Sequence, residues 1–180
     1  MTANDIIQFW FTELAPKQWW IKDSDFDQML KERFGDLLTR AAACECHEWR
    51  QTAEGRLAEI IVLDQFSRNI YRDTPRAFSQ DPLALALAQE AVAAGTLTQL
   101  TNADYRTFLL MPYMHSESKA VHQMAETLFK DHAPDDNYQF ELKHKAIIDR
   151  FGRYPHRNVI LGRPSTAEET EFLKSPGSSF

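Results

Sequence analysis

Apolar residues in this chain return at steps of three and four, and no stretch alternates polar with apolar long enough to specify a strand. Phe26, Met29, Leu30, Phe34, Leu37, Leu38 and Ala41 form one such run, which lies along a single face of an amphipathic helix. Ser24 with Asp27 reads as its capping box. Thr2 caps an earlier helix through Ile6, Ile7, Phe9, Trp10 and Phe11, ending near Pro16. Thr52 opens a third through Leu57, Ile60, Ile61, Val62, Leu63 and Phe66, whose apolar residues surround the axis and so demand a central position. Thr74 before Pro75 and Asp81 before Pro82 start further helical segments, the latter leading to Gly95. Ala103 to Met111 is helical until Pro112 breaks or kinks it, and Ser116 restarts the chain. A helix over Tyr138 to Phe151 stops at Gly152, and Thr166 with Glu169 boxes a last one. The chain is therefore all-α.

At 180 residues the chain suits one domain able to bury roughly two-thirds of its unfolded surface, expected over 1–174 with 175–180 as a flexible tail. Its 43% hydrophobic and 26% charged residues are those of a globular protein. No apolar run reaches the roughly 20 residues of a membrane span and the N-terminus lacks signal-peptide character, so a cytoplasmic protein with no membrane partner is expected. The net charge of -6 argues against nucleic acid, which requires a broad cationic face. Cys44 and Cys46 read as reduced thiols; with His47 they lack the further ligands of a zinc site, and no metal or other cofactor is expected.

Within this acidic chain, Arg150, Arg153, His156, Arg157 and Arg163 stand between Arg150 and Ala167 with no Asp, Glu or Lys among them. Such an island needs anionic company, either the protein's own carboxylates or an external acid. A second polar group lies where solvated charge does not belong: Asp64 and Arg68, four apart, fall on the stripe of Leu57, Ile60 and Ile61, and must be paired if they are buried. Gln65, Asn69, Arg72 and Arg76 extend that end. Around Pro112 stand Tyr113, His115, Ser116 and Glu117, where a carboxylate beside a helix start also serves as ordinary capping. His144 shares a face with Phe140, Ile147, Ile148 and Phe151. His115 and His122 lack a third metal ligand.

The runs LDQFSRNIYR (Leu63 to Arg72), MPYMHSES (Met111 to Ser118) and FGRYPHRNVILGRPSTAEE (Phe151 to Glu169), with the opening IIQFWF and WWIKDSDFD, resemble the bacterial family catalogued as domain of unknown function 924. The resemblance implies antiparallel helix pairs, about eight helices in all, stacked in a curved array like that of tetratricopeptide repeats. It implies no activity and lends no site residue.

Three functions remain open. The first is a binding module for an acidic small molecule or peptide, held by Asp64, Arg68, Asn69, Arg72, His144, Arg153, His156 and Arg157. The second is a hydrolase-type enzyme with His115 or His156 as general base, Glu117 orienting it and arginines stabilising developing charge. The third is a structural interaction module, its charges internal ion pairs and an exposed aromatic such as Trp19 or Trp20 meeting a protein partner.

Overall fold

The computed structural model describes residues 1–179, and among them every regular element is helical. In chain order the α-helices are α1 (Ala3–Gln8), α2 (Ser24–Ala42), α3 (Ala53–Ile61), α4 (Ser67–Ile70), α5 (Asp81–Ala93), α6 (Thr96–Gln99), α7 (Ala103–Met114), α8 (Lys119–His132), α9 (Asp135–Phe151) and α10 (Ala167–Phe172), with short 3-10 turns between some of them. Wide π-type turns over Phe9–Glu13 and Val62–Phe66 follow α1 and α3. None of the described helices is long and apolar enough to cross a membrane.

The all-round apolar character of the third helix has the expected consequence. Leu57, Ala58, Ile60 and Ile61 are sealed from solvent, and α3 packs against α1, α5 and α7. Around it gather aromatic rings: Phe34 lies 4.7 Å from Phe9 and 4.9 Å from Phe66, and Trp10 meets Phe108 edge-on at 5.6 Å. Glu59 on α3 is also sealed, a position tolerable only because Arg50 grips both its oxygens at 2.7 Å. The connections α7–α8 and α8–α9 are so short that helices packing side by side across them must run antiparallel, and both pairs are in close contact. Tyr154, beyond α9, packs on Ile147 and Ile148 in a smaller cluster joined by Phe151 and Phe172.

Several boundaries depart from the sequence expectation, each for a local reason. The helix from Thr52 does not continue regularly to Phe66 but widens into the π turn at Val62 before α4 resumes. The cap of α2 is Asp23, whose carboxylate accepts from the amides of Asp25 and Phe26; Ser24 is already inside the helix, and Asp27 is used elsewhere. Asp81 likewise lies within α5 and does not cap it. Pro112 does not break the chain: α7 runs on to Met114, because in the last turn its missing N–H forfeits only one hydrogen bond. The cap of α8 is Ser118, not Ser116, whose hydroxyl instead accepts from the Ser118 amide. Phe140, expected on the inner face of α9, is 48% exposed. The Thr166–Glu169 box and the stop at Gly152, whose φ of 71° suits glycine, stand as read. In the tail, Ser178 donates to the Leu173 carbonyl at 3.1 Å, while Phe180 lies outside the described residues.

Candidate functional site

The π turn decides where the central charges point. It carries Asp64, 1% exposed, at its middle and delivers Arg68 one turn later on α4. The Asp64 carboxylate pairs with Arg68 Nη1 at 3.1 Å, accepts from Gln65 Nε2 at 2.6 Å, and meets His115 Nδ1 at 2.8 Å, while Arg68 Nη1 donates to the Asp64 backbone carbonyl at 2.9 Å. Arg68 also forks onto both oxygens of Asp81, at 2.8 and 3.0 Å. Arg157, 7% exposed, donates to Asp81 Oδ2 at 3.1 Å and to the His115 carbonyl at 2.9 Å, with its guanidinium 4.5 Å from the Phe78 ring and 4.8 Å from that of Tyr154. Five side chains, Asp64 of the π turn, Arg68 of α4, Asp81 of α5, His115 at the end of α7 and Arg157 of the basic island, thus form one cluster. With Asp64 and Asp81 ionised and Arg68 and Arg157 cationic, it balances at zero when His115 is neutral.

The electrostatics favour that state. Burial drives the Asp64 carboxyl upward, but Arg68 and then His115 outweigh it and hold the group well below the usual carboxylate range. Burial, and after it the Arg68 charge, push the His115 imidazole down, against a smaller upward pull from Asp64. Since an ionised Asp64 only accepts, Nδ1 of a neutral His115 carries the proton and Nε2 keeps its lone pair. The ring is 13% exposed, and no described residue hydrogen-bonds Nε2 or seals it in.

The remaining arginines of the island do not enter this cluster. Arg153 is bound by both oxygens of Glu169 at 2.6 and 2.8 Å, and Arg163 by both oxygens of Glu117 at 2.6 and 2.8 Å. Asn69 and Arg72 turn the other way, with Arg72 forking onto Asp27 of α2 and donating to Asn69. The external-acid reading therefore loses its premise, because the carboxylates that the island lacks locally arrive from elsewhere in the chain. One other expectation is corrected. Glu117 does not orient His115; it accepts from Arg163 and from the Tyr154 amide at 2.7 Å, and Asp64 takes its place. His122, sealed inside with Glu141, binds Glu141 Oε1 at 2.6 Å and the Ser116 carbonyl at 2.8 Å.

The contacts of Asp64 with His115 and of Arg68, through Asp81, with Arg157 link the three motifs quoted above, and the profile of a family described as bacterial protein of unknown function (DUF924) matches residues 6–177. The chain belongs to that family. A solved structure of a protein of unknown function from Agrobacterium tumefaciens is 38% identical, superposes with a TM-score of 0.90, and is matched over 96% of each chain. No curated protein matches this one. For this DUF924 member, fold and family thus leave the activity to be argued from side chains alone.

His144 and His156 flank the site. His144, 5% exposed, faces the Phe140 carbonyl through Nδ1 at 2.7 Å, and burial pushes its imidazole down to about 3. His156 lies 5.6 Å from the Tyr154 ring, ring to ring, and burial, then Arg157, push it down to about 4. Trp19 donates to the Trp10 carbonyl at 2.8 Å, whereas Trp20 is 55% exposed. Both cysteines are free thiols, Cys44 exposed and Cys46 buried. Sequence reasoning missed Asp81, since an aspartate before proline reads as a cap, and it missed Tyr154 and Glu141, which offered no local signal.

Proposed function

We propose that this chain is an enzyme of hydrolase type in which His115 is the general base. The observation that carries the reading is the pairing of His115 Nδ1 with a buried, ionised Asp64 while Nε2 is left open toward solvent. An anchored Nδ1–H fixes the tautomer and directs the basic lone pair outward, the arrangement by which carboxylates prepare histidines for proton transfer. In the reaction, Nε2 takes a proton from a water as its oxygen bonds to the substrate's electrophilic centre. The imidazolium that forms lies against the Asp64 carboxylate, and the same proton then passes to the departing group. Arg68 and Arg157 pair with Asp64 and Asp81 and so hold ionised the carboxylate against which the imidazolium forms.

The binding-module reading keeps one observation in its favour: Arg157 Nε is sealed from solvent and has no hydrogen-bond partner among the described residues. Against it stands the neutrality of the cluster, which leaves no surplus positive charge for an acidic ligand. A panel of p-nitrophenyl carboxylic esters, phosphoesters and chromogenic amides tests the enzymatic reading. At least one class is expected to turn over, with kcat falling about 10²-fold or more in a folded His115→Gln variant. No turnover across the panel, or turnover untouched by the substitution, overturns it.

A further inference from the structure

Three consecutive backbone carbonyls at the end of α7 are each held by a different side chain. Met114 O accepts from Tyr154 Oη at 2.5 Å, His115 O from Arg157 Nη2 at 2.9 Å, and Ser116 O is met by His122 Nε2 at 2.8 Å. Carbonyls at a helix C-terminus lack partners within the helix and are commonly satisfied by water or by a turn. Here the partners come from the first turn of α8, six residues on, and from the segment beyond α9, about forty residues away.

The support behind these donors is also buried. Ser116 O can only accept, so His122 Nε2 carries a proton, and its Nδ1 is set against Glu141 Oε1 at 2.6 Å. Both side chains are 0% exposed. Burial raises the Glu141 carboxyl, and its second oxygen is sealed with no partner among the described residues, so the side chain is held by the short bond to His122. Tyr154 Oη stands 3.2 Å from the same His122 nitrogen, while the Tyr154 amide fixes Glu117. One tyrosine thereby holds residues 114 and 117, and one histidine holds 116, on either side of His115.

We infer that Tyr154, His122 and Glu141 are positioning residues that clamp the backbone around His115 and so hold its Nδ1 against Asp64. The inference rests on the reading of His115 as the base and names what keeps that base in place. Clamping matters because the His115–Asp64 contact is already 2.8 Å, and a displacement of about 1 Å takes it outside hydrogen-bonding range. The chain segment it stabilises is the end of a helix carrying a proline in its last turn, which without external support is one hydrogen bond short.

The test observes the imidazole itself, by NMR on protein labelled with 15N-histidine. Wild type is expected to show His115 as the Nδ1–H tautomer with a proton slow to exchange with water. Tyr154→Phe and Glu141→Gln, the second preserving shape where the first removes a donor, are each expected to speed that exchange roughly fivefold or more, the size expected from one lost hydrogen bond. Ile7→Ala, a core truncation on α1, controls for general loss of stability and is expected to leave the His115 signals in place. Unchanged His115 signals in whichever of the two variants folds overturn the inference, as does an equal change in Ile7→Ala. Should His115→Gln retain full turnover while these variants still loosen the ring, the base reading fails and the clamp stands on its own.

Discussion

Replacing Asp64 by asparagine isolates the charge at the centre of the cluster. Arg68 and His115 both reach Oδ1, which the amide oxygen reproduces, and Gln65 contacts Oδ2, where it can reverse its own amide to accept from the new NH2. Shape and hydrogen bonds are thus conserved, and the loss is electrostatic: two guanidinium groups then share the single carboxylate of Asp81. Removing one partner of a buried ion pair costs about 3–5 kcal/mol, and because Asp81 still compensates part of the charge we expect the lower end, about 3 kcal/mol. For a chain of this size that corresponds to a fall in Tm of roughly 6–12 °C. Urea unfolding at pH 7 measures it, with the midpoint shifted and the slope unchanged. The pH dependence adds a second criterion. A carboxyl held low in the folded state stabilises above its unfolded value of 3.8, and that stabilisation is lost as pH falls toward the folded value. The gap between wild type and Asp64→Asn is therefore expected to be constant from pH 5 to 8 and to close below about pH 4. A change under about 0.5 kcal/mol at pH 7 refutes the argument that this charge is paired in a dry environment.

Gly55→Ala inverts the usual helix rule. Alanine ordinarily favours a helix interior by about 1 kcal/mol, yet a Cβ at Gly55 stands 1.9 Å from the Trp49 carbonyl oxygen, so we expect a loss of roughly 1–3 kcal/mol by urea unfolding, and a gain contradicts the packing of that turn against α3. Acid stability provides the other test. His144, His156 and His115 are all held below their ordinary value, so the unfolded chain takes up protons from about pH 6.5 downward while the folded chain does not, and stability falls with acidification. Between pH 6 and 5 the expected slope is at least about 1.4 kcal/mol per unit, the equivalent of one such histidine, and a flat profile from pH 7 to 5 refutes the neutral burial of these rings.

The family and the helical class were written in local patterns. Apolar spacing, the caps at Thr2, Thr52 and Thr166, and the stop at Gly152 each depend on residues within a turn or two of one another, which is the range over which sequence acts directly. The burial of Asp64 and Arg68 was also legible, because a helical wheel put charge on an apolar stripe. Partner choice was not. Arg68 finds Asp81, Arg157 finds the same carboxylate 76 positions away, and Arg163 finds Glu117 across 46. Nothing in a linear string distinguishes these acids from the others.

By itself, then, the chain's order of residues determined that it forms helices, that α3 lies at their centre, and that certain charges must go inside with company. Only the folded arrangement decided that the basic island closes upon its own carboxylates instead of opening to an external acid, and that His115 faces Asp64. The physical reason is range: periodicity and capping are settled by neighbours along the backbone, whereas the partner of a buried charge is whichever opposite charge the packing of distant helices brings within about 3 Å.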